Sequence, residues 1–357
     1  MKIIHTSDLH LCSPLTAKLR GAQASERRRE LADSFSRTVR DGIEMGVSAV
    51  IIAGDLFDSR RVSRKAVSSV IATIESAEKI TFFYLPGNHE GDALLESGLP
   101  MPENLKIFGS DWTYYTLDNI TFAGRSECAD GMFDTLTLDH GKINVAVLHG
   151  ELRDRSASPA SIGLKEASGR GISYLALGHY HTYGVVSLAD GSDAVYCGSP
   201  EGRGFDEVGE LGYCLVETDG TGVSHRFVKS ALRSIRIVNA DVTGAATQSE
   251  VERRCADALK GIPSSDLIRI VTVGECSPEL RIDTDSIERR FYDGYYYFEA
   301  KDSSRPRIDP EDYKNDRSLR GEFIRSVLAD DRLDEAMREK VIACGLHALM
   351  GESYFDR

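Results

Sequence analysis

Five apolar runs in this chain end in residues able to hold a metal ion: Asp8-Leu9-His10, Gly54-Asp55, Gly87-Asn88-His89-Glu90, His149-Gly150 and Gly178-His179-Tyr180-His181. Besides Glu90, these ends carry two aspartates, five histidines and one asparagine. Any one of them alone would read as an ordinary turn, since Gly-Asp, Gly-Asn and His-Gly are common loop pairs. Five in series, each just after a strand-like run, read as one site assembled from distant parts of the chain.

The runs themselves set the fold class. Lys2–Thr6 and Thr81–Leu85 are short apolar strands, and Ala49–Ala53 is apolar throughout, the pattern of a strand covered on both faces. Residues 121–124, 144–148, 174–177 and 194–197 follow as further strands. Residues 212–217 and 224–227 form a hairpin turned by Asp219-Gly220. Between the strands, residues 25–45 have helical spacing, with Leu31, Phe35, Val39 and Ile43 assigned to one face, and 63–76 is a second helix. The expectation is a layered α/β fold whose site lies in the crevice beyond the carboxyl ends of the strands.

The donor set points to phosphate ester hydrolysis. A phosphodiester repels hydroxide because both are anionic. Two divalent cations about 3.5–4 Å apart offset that charge, activate water and stabilise the leaving oxygen. A carboxylate suits the bridging position, and Asp55 is the candidate, with Gly54 letting the backbone pass close beneath. Asp8 and His10 are two apart and can point into one crevice, as can His179 and His181. Asn88 adds a neutral oxygen and His149 a nitrogen. Mixed oxygen and nitrogen donors without thiolate suit Mn, Fe or Zn. His89 directly follows Asn88, so its side chain points away from the ions and towards substrate. There it can protonate the leaving alkoxide as a general acid, oriented by Glu90 or another carboxylate. His5, inside the first strand, reads as a core or supporting residue.

Composition narrows the setting. With 357 residues, 41% hydrophobic and 28% charged, the chain has an ordinary globular balance. No basic-then-apolar leader opens it, and no run approaches the roughly 18–20 apolar residues of a membrane span. The seven cysteines are odd in number and none forms a CxxC pair, so reduced thiols and a cytoplasmic location are expected. Cys12 falls outside the ligand set. A net charge of −13 counts against a free-standing DNA binder that works by bulk electrostatics. All the metal-type fragments lie in residues 1–232. Residues 233–308 change character, with strands at 234–239, 266–273 and 295–300, a helix at 248–259 and no histidine. Residues 309–357 are highly charged and hold two helical patterns, 319–329 and 333–349.

At these residues the chain resembles the calcineurin-like metallophosphoesterases, whose motifs run DxH, GD, GNH(D/E), H and GHxH. Within that superfamily, Gly54-Asp55-Leu56-Phe57-Asp58-Ser59, His5-Thr6-Ser7-Asp8-Leu9-His10-Leu11 and Gly198-Ser199-Pro200-Glu201 are similar to the SbcD-type DNA-repair exonucleases, nuclease subunits that pair with SbcC-type ATPases. The resemblance implies a sandwich of two mixed β-sheets flanked by helices, with a smaller α/β capping domain at 233–308 that touches DNA and an ATPase-docking segment at 309–357. It implies one metal on Asp8, His10, Asp55 and His181, a second on Asp55, Asn88, His149 and His179, and His89 as the catalytic histidine. Two departures stand out. The nuclease subfamily usually reads GNHD, and here Glu90 occupies the last position. Phosphatases carry GNHE but also GDxxDRG, and here Asp58 is followed by Ser59 and Arg60.

The expected function is therefore a manganese-dependent DNA nuclease in DNA repair, acting with an SbcC-type coiled-coil ABC ATPase; a homodimer is left open. The competing reading is a phosphodiesterase or phosphatase for small nucleotides or phosphoproteins. Arg60, Arg61 and Arg64, with Lys65, form one basic cluster suited to a phosphate backbone, and Arg27, Arg28 and Arg29 form another. Tyr180 can stack on a base or sugar or support the sheet edge. Leu319, Phe323 and Val327 on one terminal helix, and Val341, Leu346 and Leu349 on the next, are the expected ATPase-docking faces.

Overall fold

Ala49–Ala53 has no polar side chain to present to water, and every one of its residues is buried. Its alternate residues serve two different cores, and this sets the layering of the molecule. In the computed structural model, which describes residues 1–154, 161–277, 280–307 and 315–349, the chain divides into two compact units, Met1–Arg236 and Ile237–Arg357. Residues 309–314 and 350–357 of the C-terminal segment lie outside the described residues.

The first unit begins with β1 (Lys2–Thr6), β2 (Ala49–Ala53), β3 (Thr81–Leu85) and β4 (Leu105–Ile107). It continues with β5 (Thr113–Leu117), β6 (Ile120–Gly124) and β7 (Ile143–His149), then a small parallel pair, β8 (Glu151–Arg153) and β9 (Ser161–Gly163). After these come β10 (Tyr174–Gly178), β11 (Gly184–Ser187) and β12 (Asp193–Tyr196), and finally the hairpin β13 (Gly212–Thr218) and β14 (Val223–Lys229). Two six-stranded sheets result, ordered β14-β13-β1-β2-β3-β4 and β11-β12-β10-β7-β6-β5. In the first, β1 to β4 run parallel and the hairpin closes one edge antiparallel. In the second, β12, β10, β7 and β6 run parallel between antiparallel edge strands.

Strand alternation separates the layers. Ala49, Ile51 and Ala53 of β2 join Ile3, Phe83 and Leu85 in a core between the sheets, against Phe122, Val145, Val147, Ala176 and Val195. Phe83 stacks on Phe122 with ring centroids 4.0 Å apart. Val50 and Ile52, with Ile4, Phe82 and Tyr84, face the other way, onto Phe35, Val39, Val67, Val70, Ile71 and Ile74. Those residues belong to the helical layer that covers the first sheet, made of α2 (Ser34–Met45) and α3 (Arg64–Ser76); α1 (Gly21–Ala32) precedes α2 in the chain. The outer face of the second sheet is covered differently. Met132, Phe133, Ile162, Ala167, Ile172 and Leu188 pack on it, from loops, a 3-10 turn at Met132–Asp134, strand β9 and the single-turn helix α4 (Leu164–Ala167).

Three local expectations change. The single helix expected at 25–45 is two helices, broken at Asp33. Ile43 is 52% exposed rather than on the buried face. A spacing of four drifts by about 40° per step around a 3.6-residue helix, so the core stripe of α2 passes through Phe35, Val39 and Gly42 instead. Arg27 is not part of a free basic cluster. It is fully buried, donating to Glu30 and Glu201 at 2.6 Å each, and Arg37 reaches the other oxygen of Glu201 at 2.7 Å.

The second unit is built on a three-stranded sheet of β15 (Ile235–Asp241), β16 (Leu267–Val273) and β18 (Tyr297–Asp302), in that order, with a short parallel pair β17 (Glu275–Cys276) and β19 (Arg305–Pro306). Val251 and Cys255 of α5 (Gln248–Ala258) and Ile287 of α6 (Thr284–Phe291) share a core with Ile268, Ile270 and Phe298. Helix α6 has one buried residue, too little for a periodic signal; Asp283 starts it by accepting from Ser286 N at 2.9 Å. Helices α7 (Leu319–Leu328) and α8 (Glu335–Leu349) pack on each other through Ile324, Val327, Ile342 and Leu346. Val327 and Leu346, expected on docking faces, are thus buried within the pair. Leu319, Met337 and Leu349 stay exposed. No helix among the described residues is long and apolar enough to cross a membrane.

Candidate metal centre

The chain turns sharply at the carboxyl ends of five parallel strands. Asp8 and His10 follow β1, Asp55 follows β2, Asn88 and His89 follow β3, His149 ends β7, and His179 and His181 follow β10. Among the described residues six non-glycine positions have positive φ, and four belong to this set: Asp8 (52°), His10 (42°), Asp55 (51°) and His179 (110°). Each costs of order 1–3 kcal/mol and persists only where the surroundings enforce it. Here the enforcement is backbone pairing of two loops: Asp8 N donates to Gly54 O at 3.0 Å and His10 N to Asp55 O at 2.9 Å. Close approach also dictates glycine. A Cβ on Gly87 would collide with the Asp55 carboxylate, and one on Gly54 (φ 90°) with the His149 ring.

The side chains converge in two groups. Asp8, His10 and His181 offer donor atoms within 4.8 Å of one another, and so do Asp8, Asp55 and His149. His10 Nε2 and His181 Nε2 face each other at 3.2 Å, with Asp8 Oδ1 3.9 Å from the latter. Asp55 Oδ2 lies 3.3 Å from His149 Nε2 and 3.7 Å from His10 Nε2, so it stands between the groups. Asn88 Oδ1 is 2.8 Å from His149 Nε2. His149 Nδ1 donates to Ala53 O at 2.9 Å, which leaves Nε2 facing the oxygens. Nitrogen lone pairs and carboxylate oxygens aimed at common points are the donor set of a divalent cation, and these residues fit one.

Electrostatics say the same. Burial opposes ionisation of Asp55, but the hydrogen bond and charge of His149 outweigh it and hold the carboxyl down at about 2. Burial works against charged His149 too, yet Asp55 and Asp8 push it up to about 9. The carboxylates thus demand a positive charge at this point. Burial, then Arg203, hold His10 down to about 3, so it presents a neutral ring.

The remaining sequence candidates fall around this centre. The ring of His179 packs edge-on against His149 with centroids 5.5 Å apart, while its backbone N–H donates to both Asp8 oxygens at 3.0 and 3.1 Å. Its imidazole joins neither donor group. The His89 side chain is 45% exposed, with Nε2 3.9 Å from Asp55 Oδ2. A third donor group contains it, with His10 and Asp58. Glu90 does not orient His89. It is buried, accepting from Gly87 N, Tyr84 Oη and Phe57 N at 3.0, 3.0 and 3.3 Å. Burial, then the charge of Asp55, push it up to about 7. The partner of His89 Nδ1 is the carbonyl of Asp58, at 3.2 Å. Tyr180 is 43% exposed, bonded to Glu151 at 3.2 Å and packed edge-on against Tyr196. With Tyr196, Thr182, Arg203 and Asp206 it lines a groove of about 530 Å³ beside His179 and His181. Arg60, Arg61 and Arg64 are exposed. His5 is a buried core residue bonded to Tyr174 Oη at 3.0 Å, and Cys12 is exposed outside the donor groups. Asp58, Arg203 and Glu207, which back the histidines, have no role assigned from the sequence. The signals that could have found them are positional: Asp58 stands inside the Gly54–Ser59 motif, and the other two follow Gly198-Ser199-Pro200-Glu201 closely.

Two mixed sheets with histidine, aspartate and asparagine donors meeting at their strand ends define a metal-dependent phosphodiesterase. The chain belongs to the calcineurin-like phosphoesterase family, whose model matches residues 1–197. It is similar to the DNA double-strand break repair protein Mre11 of Haloferax volcanii, 27% identical over 97% of this chain and 74% of that one. It is also similar to the D subunit of the nuclease SbcCD from Staphylococcus epidermidis, 25% identical over 68% of this chain and 73% of that one. Among solved structures, TT1561 of Thermus thermophilus aligns with 63% of this chain and 98% of that one at 13% identity. Its TM-score is 0.42, a likeness too loose to add to what the sheets show.

Proposed function

We propose that this protein is a DNA nuclease that cuts phosphodiester bonds with two divalent cations, manganese foremost, in the cytoplasm and in DNA repair. The observation that carries the reading is the pair of donor groups that share Asp8, with Asp55 between them. Asp8, His10, Asp55 and His181 would hold one cation, and Asp55, Asn88 and His149, with His179 alongside, the other. Bound there, the cations would offset the phosphate charge and acidify the attacking water. His89 acts from the open side. Its Nδ1 is tied to the Asp58 carbonyl, so Nε2 faces the crevice and carries the mobile proton to the leaving alkoxide. The names of the relatives, a double-strand break repair protein and one subunit of a nuclease, support DNA as substrate. That the second relative is named as a subunit also supports a partner, an SbcC-type coiled-coil ATPase docked on exposed parts of α7 and α8.

The second reading, a phosphodiesterase or phosphatase for small nucleotides or phosphoproteins, is favoured by the net charge of −13. Digestion of blunt, overhanging and hairpin DNA, with and without a coiled-coil ATPase, separates the two. Manganese-dependent cutting abolished by a chelator is expected. Turnover of cyclic nucleotides or phosphopeptides with no cutting of any DNA would overturn the nuclease reading.

A further inference from the structure

At the Nδ1 atoms of His10 and His181 three charged residues form a continuous arc. Glu207 Oε1 lies 2.6 Å from His181 Nδ1. The same carboxylate receives Arg203 through Nε at 2.8 Å, Nη2 at 2.7 Å and the backbone N–H at 2.5 Å. Arg203 Nη1 extends to Asp58 Oδ1 at 3.2 Å. That oxygen is 3.3 Å from His10 Nδ1, within ion-pair distance though off-line for a hydrogen bond. Shielding falls along the arc: Glu207 is 2% exposed, and the side chains of Arg203 and Asp58 are 13% and 26% exposed.

The chemistry of the arc fixes a tautomer. An ionised carboxylate only accepts, and a guanidinium only donates. Arg203 Nη2 is also 3.3 Å from His181 Nδ1, but the carboxylate at 2.6 Å is the nearer group. Nδ1 of His181 therefore carries its proton and gives it to Glu207. The free lone pair is left on Nε2, which points at Asp8 and at His10 Nε2. Asp58 favours the same tautomer in His10. Arg203 pairs with both carboxylates and so ties Asp58 and Glu207 together, each beside its histidine.

We infer that Arg203 and Glu207 are positioning residues of the metal centre, in which one guanidinium clamps two carboxylates so that His10 and His181 both present Nε2 to the same cation. This rests on the two-metal reading above. Partners in this outer position set ligand orientation and basicity, and their loss typically lowers metal affinity by about 10–100-fold.

The test uses the full chain and Mn²⁺ alone, followed by calorimetric titration and electron paramagnetic resonance, with unfolding in EDTA as the control for fold. The wild-type chain is expected to bind two Mn²⁺ and show the spectrum of a coupled pair. Glu207→Gln and Arg203→Met are expected to weaken one of the two sites by about 10–100-fold. At limiting metal the coupled spectrum then gives way to the six-line signal of a single ion. Arg37→Met, which breaks a comparable ion pair in the helical layer, is expected to keep both affinities. Should Glu207→Gln not fold, Arg203→Met decides the matter. A folded variant with both wild-type affinities and an unaltered coupled spectrum overturns the clamp while leaving the two-metal reading standing. A wild-type chain that binds fewer than two Mn²⁺ overturns both.

Discussion

His10 and His181 point their Nε2 atoms at each other across 3.2 Å, although they are 171 residues apart in the chain. When both rings carry their proton on Nδ1, two Nε2 lone pairs so placed repel unless positive charge lies between them. The fold supplies the neighbouring carboxylates of Asp8 and Asp55 to attract it. In the proposed reading metal binding, strain and catalysis meet at this point, and each can be tested separately.

Asp55 stands between the two donor groups, 3.3 Å from His149 Nε2 and 3.7 Å from His10 Nε2. Asp55→Asn is expected to lower Mn²⁺-saturated hydrolysis of bis-p-nitrophenyl phosphate by about 10³-fold, the scale of losing a principal electrostatic stabiliser of a transition state. Steady-state turnover at saturating metal is the check, and near-wild-type turnover would remove Asp55 from the centre.

His89 is expected to separate chemistry from metal binding. His89→Asn is expected to retain two Mn²⁺ by calorimetry while turnover falls by about 10²–10⁴-fold, the usual contribution of a general acid. Because His89 also falls within a donor group with His10 and Asp58, the stoichiometry is decisive. A folded variant that binds one ion would make His89 a ligand.

His5 gives the metal-free protein an acid-sensitive core. Burial holds its pKa down to about 3 from 6.5, so below pH 6.5 the unfolded chain takes up a proton that the folded one refuses. The stability present above pH 6.5 is lost as pH falls towards 3, by up to about 1.4 kcal/mol per pH unit. Urea midpoints in EDTA at pH 7 and 5 should show a steeper loss for the wild type than for His5→Gln, by about 2 kcal/mol. Equal slopes would show that another group controls the acid limb.

Arg60, Arg61 and Arg64 are exposed beside the loop that carries Asp55. Replacing all three by serine is expected to weaken duplex binding and reduce the salt slope by roughly 0.9 for each phosphate no longer neutralised. Hydrolysis of the small diester should be unaffected. Filter binding across a salt series measures this, and an unchanged slope would return the cluster to the status of a solvated surface.

The terminal helix pair can be probed without dismantling it. Leu319 and Met337 are 72% and 47% exposed, so Leu319→Asp and Met337→Asp should change folding stability by no more than about 0.5 kcal/mol. Capture of a coiled-coil ATPase in a pull-down should be lost. Full retention of the ATPase by both variants would place the docking surface elsewhere.

The sequence by itself determined where the chain turns and what stands at each turn. Strand runs such as Ala49–Ala53 announce their own burial because no residue in them tolerates water. Donor residues announce the site because aspartate, histidine and asparagine recur immediately after those runs. Gly54 could be read as a close backbone approach, but that His149 sits over it, and that Asp55 sits over Gly87, is tertiary information. What needed the tertiary structure was everything set by distance in space rather than along the chain. Arg27 and Arg203 look alike in sequence, as charged residues in polar stretches; one is buried in an ion pair with Glu201, and the other joins the carboxylates behind two histidines. Glu90 and Asp58 both sit beside motif residues, yet burial turns the first inward to hold a turn while the second backs His10 and, through its carbonyl, His89. A charged side chain reports its chemistry in the sequence, but its role follows from which opposite charge the fold brings within about 3 Å, the range over which charge-assisted hydrogen bonds form.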